Sequence, residues 1–313
     1  GVDLNPFAVA ISRFRLLVAA LRVAGVQRLA DAPDFTIHVA IGDSLLHGMR
    51  FGLSATQDLL GSDQYRNTGL EHAYASEDLA QVQAILGRQY HAVVGNPPYI
   101  VVRDTALNAA YRNLYASCHR QYSLGAPFTE RFFQLAITAE RFGAAGFVGL
   151  ITANSFMKRE FGSKLIEEVL PRLDLTHVID TSGAYIPGHG TPTVILLGRH
   201  RPPHDALRSP SNTVRAVMGI KGEPNKPDNA SQGLVWRAIV DQIDYAGSES
   251  VFVSVSDMPR SALGNHPWSI GGGGAAEVLD HLSMKAGCQL KDLISVIGRT
   301  THTGEDSAFF VTN

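Results

Sequence analysis

Apolar residues near the start of the chain recur every three to four positions, which is the spacing of one face of an α-helix. The residues of this stripe are Phe7, Ile11, Phe14, Leu17, Val18 and Leu21. Asn5 is a favoured N-cap residue, Pro6 suits the first helical position, and Gly25 is typical just beyond a helix end. The pattern therefore predicts a helix of about five turns between Asn5 and Gly25.

Further along, short apolar runs alternate with segments of helical spacing. Strands are predicted at residues 35–41, 91–95, 146–152, 176–180 and 193–197, and helices at residues 128–142 and 161–170. Residues 50–80 are polar and are predicted to form a surface insertion. Strands that alternate with helices predict an α/β fold with a mostly parallel sheet between helices, and the last two strands are predicted to form an antiparallel hairpin.

The composition sets broad limits. The 313 residues are 45% hydrophobic, which is enough for a sizeable core. Cys118 and Cys288 lie far apart and lack metal-ligand spacing, so we expect a reducing, cytoplasmic setting and no metal site. Arg13, Arg15 and Arg22 interrupt the longest apolar stretch, so no membrane segment is expected. The formal charge of −2 means that any nucleic acid must bind to local patches.

The candidate chemistry is concentrated in the tetrapeptide Asn96-Pro97-Pro98-Tyr99, which directly follows an apolar run. The Asn96 side-chain oxygen and the Pro97 carbonyl can both accept hydrogen bonds from one exocyclic amino group. Two successive prolines fix φ and remove two N–H donors, so the carbonyls form a rigid acceptor patch. Tyr99 offers a face on which a planar base can stack. A simple strand-to-loop turn is the alternative interpretation.

Asp43 and Asn96 follow predicted strands, and Asp3 follows the start of the chain, which resembles the end of a strand. In parallel α/β sheets, ligands bind outside the carboxyl ends of the strands. Asp3 is suited to the ribose hydroxyls of an adenosine-containing cofactor, and Asp43 to its adenine amino group. Each Asp taken singly also fits a capping role. The ordered series favours a cofactor site beside an amine-binding site.

Residues 1 to about 200 resemble the gamma-type N6-adenine DNA methyltransferases. The segments that correspond to motifs II, III, IV, V, VI and VIII are, in order, GVDLNPFAV, IGDSL, VVGNPPYI, SLGAPFTERFFQLA, GFVGLITANSFM and YIPGHGTPTVILLG. More narrowly, NPPYIVVRD and YRNLYASCHRQYSLGAPFTERFFQLA are similar to the PglX methyltransferases of BREX (phage growth limitation) defence systems. The resemblance implies a Rossmann-like class I sheet, S-adenosylmethionine as cofactor, double-stranded DNA with a flipped adenine as substrate, and other BREX proteins as partners.

The resemblance also implies roles for individual residues. The cofactor-binding residues would be Asp3, Leu4, Asp43, Ser44 and Asn96. The catalytic residues would be Asn96, Pro97, Pro98 and Tyr99. Tyr99, Tyr185 and Ile186 would contact the target base. Direct transfer of a methyl group to N6 needs no histidine base, because the nitrogen loses its proton after the transfer.

The chain begins with Gly1 rather than Met, and the glycine-rich motif I of these enzymes is not found in it. We therefore expect an upstream part, and weak or no cofactor binding by residues 1–313 alone. The predicted organisation is a catalytic domain at residues 1–200, a connector at residues 201–267, and the start of a target-recognition domain at residues 268–313.

The connector is basic and contains prolines, and its cations predict either a solvated linker or contacts with the DNA backbone. These cations, with one that precedes the connector, are Arg199, Arg201, Arg208, Arg215 and Lys221. Glycines 271–274 are predicted to form a flexible junction. In the last segment Arg299, Thr301 and Thr303 lie on a predicted loop that either approaches DNA or is an ordinary turn.

Two other functions fit the same motif. Enzymes that methylate a protein glutamine amide or an rRNA amine need the same pair of acceptors, although the long segment after residue 200 favours DNA. A DNA-recognition component of a defence complex that does not methylate its site is the second alternative.

Overall fold

The computed structural model describes residues 1–33, 36–49, 78–139, 144–188, 190–201, 213–274, 278, 281–282, 284–288 and 290–295. Two compact units are distinguished, Gly1–Gly273 and Gly274–Asn313. In the second unit the described part includes a short helix at Leu290–Leu293. No helix within the described ranges is long and apolar enough to cross a membrane.

The first unit contains α-helices and strands in alternation for most of its length. The helices are α1 (Pro6–Val23), α2 (Leu79–Leu86), α3 (Thr105–Leu114), α4 (Gly125–Leu135) and α5 (Leu234–Gln242). The strands are β1 (Val2–Asp3), β2 (Ala40–Ile41), β3 (Ala92–Gly95), β4 (Phe147–Ala153), β5 (Asp174–Asp180), β6 (Thr193–Arg199), β7 (Thr213–Gly219) and β8 (Val253–Pro259).

Helix α1 forms where the capping residues predict it. The Asn5 side chain accepts hydrogen bonds from the backbone N–H groups of Phe7 and Ala8, and Pro6 occupies the first turn. Gly25 has a φ of 69°, a left-handed conformation that glycine adopts without strain. Local sequence chemistry is therefore sufficient to set both ends of this helix.

The strands form a two-stranded sheet, β1-β2, and a six-stranded sheet in the order β3-β4-β6-β5-β7-β8. The pairs β1-β2, β3-β4 and β5-β7 are parallel, whereas β4-β6, β5-β6 and β7-β8 are antiparallel. The expected β5-β6 hairpin is present. The larger sheet is mixed rather than mostly parallel, because β6 returns between β4 and β5 and β8 forms a second hairpin-like pair with β7.

Two predicted helices differ from the observed elements. The helix predicted at residues 128–142 ends at Leu135, because Ala136 is extended and the next residues hydrogen-bond to Tyr90. The segment predicted as a helix at residues 161–170 consists of short 3-10 and π-helical turns, ending at Leu170–Arg172, which contains Pro171.

The segment expected to be a connector, residues 201–267, contains β7, α5 and β8, which extend the same sheet. Val214, Ala216 and Met218 alternate toward the core along β7, and this period-two pattern explains why the segment forms a strand. Trp268, only 1% exposed, donates its indole N–H to the carbonyl of Leu263. The compact unit thus includes most of the predicted connector and passes the predicted boundary at residue 268.

The glycine run predicted to be a flexible junction begins inside this first unit. Gly272 donates a backbone hydrogen bond to Gly219, and a Cβ atom at Gly272 would lie 2.7 Å from a side-chain carbon of Ile220. Close packing against β7 therefore requires glycine at this position. The division between the two units falls between Gly273 and Gly274.

Candidate functional site

The loops after β3, β4, β5 and β7 lie at one edge of the larger sheet. Strands β3 and β4 are parallel, β4 and β5 are both antiparallel to β6, and β5 is parallel to β7. The four strands therefore share one direction, and their carboxyl ends meet at the same edge. The tetrapeptide at residues 96–99 begins directly after β3.

A cavity of about 750 Å³ lies beside this edge, between β1 and β3. Its walls include the following residues predicted to bind cofactor or substrate: Asp3, Leu4, Asp43, Ser44, Asn96, Pro97 and Pro98. The cavity wall does not include Tyr99, Tyr185 or Ile186. Arg299, Thr301 and Thr303 lie outside the described residues.

Tyr99 is joined directly to the predicted acceptor residue. Its hydroxyl donates to the Asn96 side-chain oxygen at 2.6 Å and lies 3.4 Å from the carbonyl oxygen of Ile151 on β4. Burial raises the pKa of Tyr99, so its hydroxyl stays protonated at neutral pH and remains a donor. Because a carboxamide oxygen has two lone pairs, the Asn96 oxygen that is oriented by Tyr99 can accept a second hydrogen bond.

The position of the tetrapeptide at residues 96–99 is set by the close approach of β3 to α4. Gly95, the last residue of β3, lies so near α4 that a Cβ atom would be 2.7 Å from the Phe132 ring. Pro97 is buried, whereas Asn96 and Pro98 are exposed. The fixed proline geometry and the packing under Gly95 leave the acceptor groups at the surface of the cavity.

On the opposite wall, Asp3 ends β1. One of its carboxylate oxygens accepts a hydrogen bond from the backbone N–H of Asn5 at 2.7 Å, and its side chain is exposed. Leu4 is 41% exposed beside it. Ser44 joins the two strand ends, since its hydroxyl lies 3.4 Å from the carbonyl oxygen of Val2.

Asp43 differs from Asp3 in being buried, with 2% exposure. One carboxylate oxygen accepts hydrogen bonds from the backbone N–H groups of Leu45 and Leu46 at 2.7 and 3.2 Å. The other accepts a hydrogen bond of 2.5 Å from the hydroxyl of Tyr111 on α3. Asp43 therefore stabilises the turn after β2 and connects it to α3, while its carboxylate also lines the cavity.

Arg131 was not singled out from the sequence, and it is fully buried in the cavity wall. Its guanidinium donates to the backbone carbonyls of Ser44, His47 and Met49 at 3.0, 2.8 and 2.6 Å. These bonds fix the loop that carries Ser44. The apolar spacing around the string FTERFFQLA predicts α4, but a buried arginine on that helix has no signal in the sequence.

Tyr185 and Ile186 lie in the loop after β5, which is on the same edge as the tetrapeptide. The Tyr185 carbonyl accepts a hydrogen bond of 3.1 Å from the Trp236 indole, and the Lys226 ammonium lies 5.9 Å from the Tyr185 ring centroid. The structure thus fixes the backbone of this loop against α5 and does not bring either side chain into the cavity wall.

The cavity separates the free edges of two sheets. Strand β1 pairs with β2 and strand β3 pairs with β4, and no described strand pairs with the other edge of either one. Val94 in β3 is 78% exposed, although continuous apolar runs are typical of strands buried within a sheet. Residues of both strands line the cavity.

Comparison with known proteins defines the family to which the chain belongs. The Eco57I restriction-modification methylase family matches residues 1–186, and the chain belongs to this family. A mixed α/β sheet with its candidate residues at the carboxyl ends of the strands agrees with this assignment.

Among individual relatives, the chain is 49% identical over 320 residues to the adenine-specific methyltransferase PglX of Streptomyces coelicolor, with 98% of this chain and 25% of that protein aligned. It is 25% identical over 246 residues to the type II methyltransferase M.PaeR7I of Pseudomonas aeruginosa, covering 72% of this chain and 36% of that protein. The chain thus spans about a quarter to a third of the length of these relatives.

A solved structure, the DNA-bound ATP-dependent type ISP restriction-modification enzyme LlaBIII, is 12% identical with a TM-score of 0.43, covering 71% of this chain and 15% of that chain.

Proposed function

We propose that the protein containing this chain is a site-specific DNA methyltransferase that transfers a methyl group from S-adenosylmethionine to N6 of an adenine. The observation that carries this proposal is the Tyr99 hydroxyl bonded to the Asn96 carboxamide oxygen, directly after β3 and on the cavity edge. Membership of the methylase family and 49% identity to an adenine-specific methyltransferase support it.

In this proposal the target adenine leaves the duplex at a cost of a few kcal/mol and enters beside residues 96–99. Its amino group donates one hydrogen bond to the Asn96 oxygen and one to the Pro97 carbonyl. Both acceptors attract the hydrogens of the amino group and polarise the N–H bonds, which raises the electron density at the nitrogen. The aromatic ring of Tyr99 would supply a stacking surface for the planar base.

The lining and size of the cavity support S-adenosylmethionine as the cofactor. Its volume of about 750 Å³ is within the usual range for ligand sites, and its wall combines exposed carboxylate and apolar groups. Asp3 would hold the ribose hydroxyls through the carboxylate oxygen that does not bond to Asn5, with Leu4 alongside. Asp43 and Ser44 would face the adenine end. S-adenosylmethionine supplies the electrophilic methyl group when bound.

DNA is favoured over a protein amide or rRNA because the two curated relatives named above are an adenine-specific and a type II methyltransferase. The resemblance to the PglX methyltransferases supports partners from a phage-defence system as a further part of this proposal. Arg299, Thr301 and Thr303 remain proposed readers of the DNA sequence. Arg299→Ala in the full-length protein should then shift or relax the methylated sequence, as methylome sequencing would show.

The direct test is Asn96→Ala in the full-length protein. We expect loss of N6-methyladenine with little change in thermal stability, because Asn96 is exposed and contributes acceptor geometry rather than packing. Asn225→Ala, in the exposed loop after β7, is the matched control and should methylate normally. Modified-base sequencing of host DNA measures both. Unchanged methylation in Asn96→Ala would overturn the assignment.

A further inference from the structure

The basic residues that the sequence places around the connector are mostly used inside the protein. Arg201 pairs with the buried Asp174 at 2.6 Å, and Arg215 pairs with Asp257 at 2.5 Å. Arg199 stacks over the Phe147 ring, with 4.2 Å between guanidinium carbon and ring centroid. These three arginines stabilise the sheet. Lys221 of the same set is exposed, so a surface for a polyanion has to come from Lys221 and from cations outside the set.

The loops at the carboxyl edge form a continuous surface. One contact joins the chain after β3 to the loop after β4: Arg120, which lies between α3 and α4, pairs with Glu160 at 3.0 Å. Backbone hydrogen bonds continue the surface from Asn154 to Pro192 and from Glu223 to Gly183. The loops after β3, β4, β5 and β7 are therefore fixed relative to one another.

Four cations project from these loops without an internal partner. They are Arg103 after β3, Lys158 and Arg159 after β4, and Lys221 after β7, and we call them the basic rim. All four are exposed. None of their side chains forms an ion pair or hydrogen bond with another residue in the described part of the chain.

Most carboxylates in the loops at the same edge form hydrogen bonds or an ion pair within the protein. Asp104 caps α3, and the two oxygens of Glu223 accept from the first backbone N–H groups of α5 at 2.9 and 3.0 Å. At such positions the helix dipole offsets part of the negative charge. Glu160 is paired with Arg120, and Asp180 accepts from Ser182.

Asp228 is exposed in the loop after β7 and offsets one positive charge there. The loops after β3 and β4 thus carry three exposed cations without a side-chain partner among the described residues, Arg103, Lys158 and Arg159, and residues 96–99 begin the first of these loops. This local excess exists although the whole chain has a formal charge of −2.

We propose that the basic rim binds the phosphate backbone of duplex DNA, holding it over the cavity edge. The inference rests on the proposed function for its choice of DNA and adds the residues that grip it. Exposed lysine and arginine side chains suit phosphate, because they release condensed counterions on binding and need no base sequence. The rim therefore supplies affinity and orientation, while recognition of sequence lies elsewhere.

The experiment compares wild-type full-length protein with the double variant Lys158→Ala/Arg159→Ala, in binding to a 30-base-pair duplex of unrelated sequence at several salt concentrations. Each lost phosphate contact lowers the slope of log K against log salt by about 0.9, so the slope should fall by about 2. At 0.1 M salt the affinity should fall by about 10- to 60-fold. The effect should be the same for a second duplex of different sequence.

Arg22→Ala/Arg172→Ala is the matched control, because it removes two exposed positive charges away from the rim. It should leave the salt slope within about 0.5 of wild type. Equal losses in the two double variants, or an unchanged slope in the rim variant, would overturn the proposal. Tighter wild-type binding to structured RNA than to DNA, with the same rim dependence, would assign the rim to RNA and also overturn it.

The two proposals fail differently. Failure of the methyltransferase proposal would appear as unmodified DNA with a normal salt slope for the wild-type protein. Failure of the rim proposal would appear as an unaltered slope in the rim variant, whether or not DNA is methylated. Asn96→Ala should bind the duplex with the wild-type slope, because Asn96 carries no charge.

Discussion

Tyr111→Phe removes one hydroxyl and tests what holds Asp43 in place. The Tyr111 ring is 3% exposed and would keep its packing in the variant, while its hydroxyl bond of 2.5 Å to the Asp43 carboxylate would be lost. The backbone bonds from Leu45 and Leu46 to the other carboxylate oxygen would remain. The variant thus isolates one contact between the turn after β2 and α3.

The loss in the free energy of unfolding depends on the strength of the hydrogen bond between Tyr111 and Asp43. A hydrogen bond to a charged group contributes about 1.5–3 kcal/mol, and the lost donor leaves a buried carboxylate oxygen less satisfied. The free energy of unfolding should therefore fall by about 2–3 kcal/mol. For a folded unit of this size, 1 kcal/mol corresponds to about 2–4 °C, so Tm should fall by roughly 4–12 °C.

The assay is differential scanning calorimetry of the full-length protein, combined with calorimetric titration of S-adenosylmethionine below the transition. Because Tyr111→Phe keeps the charge of Asp43 and two of its bonds, cofactor affinity should fall by less than about tenfold, a change worth 1.4 kcal/mol. Asp43→Ala removes the carboxylate itself and should lower both Tm and affinity more strongly.

Two outcomes would refute this reasoning. A Tm within about 1 °C of wild type would mean that the contact between Tyr111 and Asp43 does not stabilise the fold. A cofactor affinity as low as that of Asp43→Ala would mean that Tyr111 acts on the cofactor and not through the turn.

Two further predictions concern single groups. Tyr99→Phe keeps the ring but removes the hydroxyl that orients the Asn96 carboxamide, so the carboxamide can rotate. In steady-state methylation assays kcat should fall about five- to tenfold, with KM for DNA nearly unchanged. An unchanged kcat would exclude a positioning role for Tyr99. Burial lowers the pKa of His200, which remains neutral in the fold while the unfolded chain takes up a proton near pH 6.5. The unfolding free energy should therefore decrease as pH falls from about 7.5 to 5.5, and this decrease should be shallower in His200→Gln if urea unfolding is followed at each pH.

Local signals in the sequence predicted a good part of the fold. Asn5, Pro6 and Gly25 define α1 because capping depends on neighbouring residues alone. The segment of β7 is predicted as part of a connector because prolines and basic residues lie near it in the sequence. Its alternation of buried Val214 with half-buried Arg215 was available in the sequence, but short strands carry a weak signal.

In the candidate site too, features set by neighbouring residues are predictable from the sequence, whereas contacts between distant residues are not. The acceptor tetrapeptide at residues 96–99 is contiguous, so its chemistry is visible in the sequence. The partner of Asp43 is Tyr111, which is 68 positions away, and no periodicity predicts such a pair. For the same reason the sequence does not reveal the internal ion pairs of Arg201 and Arg215. From the sequence alone these arginines fit a solvated linker or contacts with the DNA backbone.

No strand of the described part of the chain pairs with the outer edge of β3, which has a practical consequence for handling residues 1–313 as an isolated protein. Unpaired peptide groups beside an apolar residue such as Val94, which is 78% exposed, are a template for edge-to-edge pairing between molecules. Phe7 and Phe14 on α1, which are 78% and 65% exposed, add exposed hydrophobic surface to the same unit. We expect such a protein to self-associate as its concentration rises, and a charged residue in place of Val94 should reduce this association.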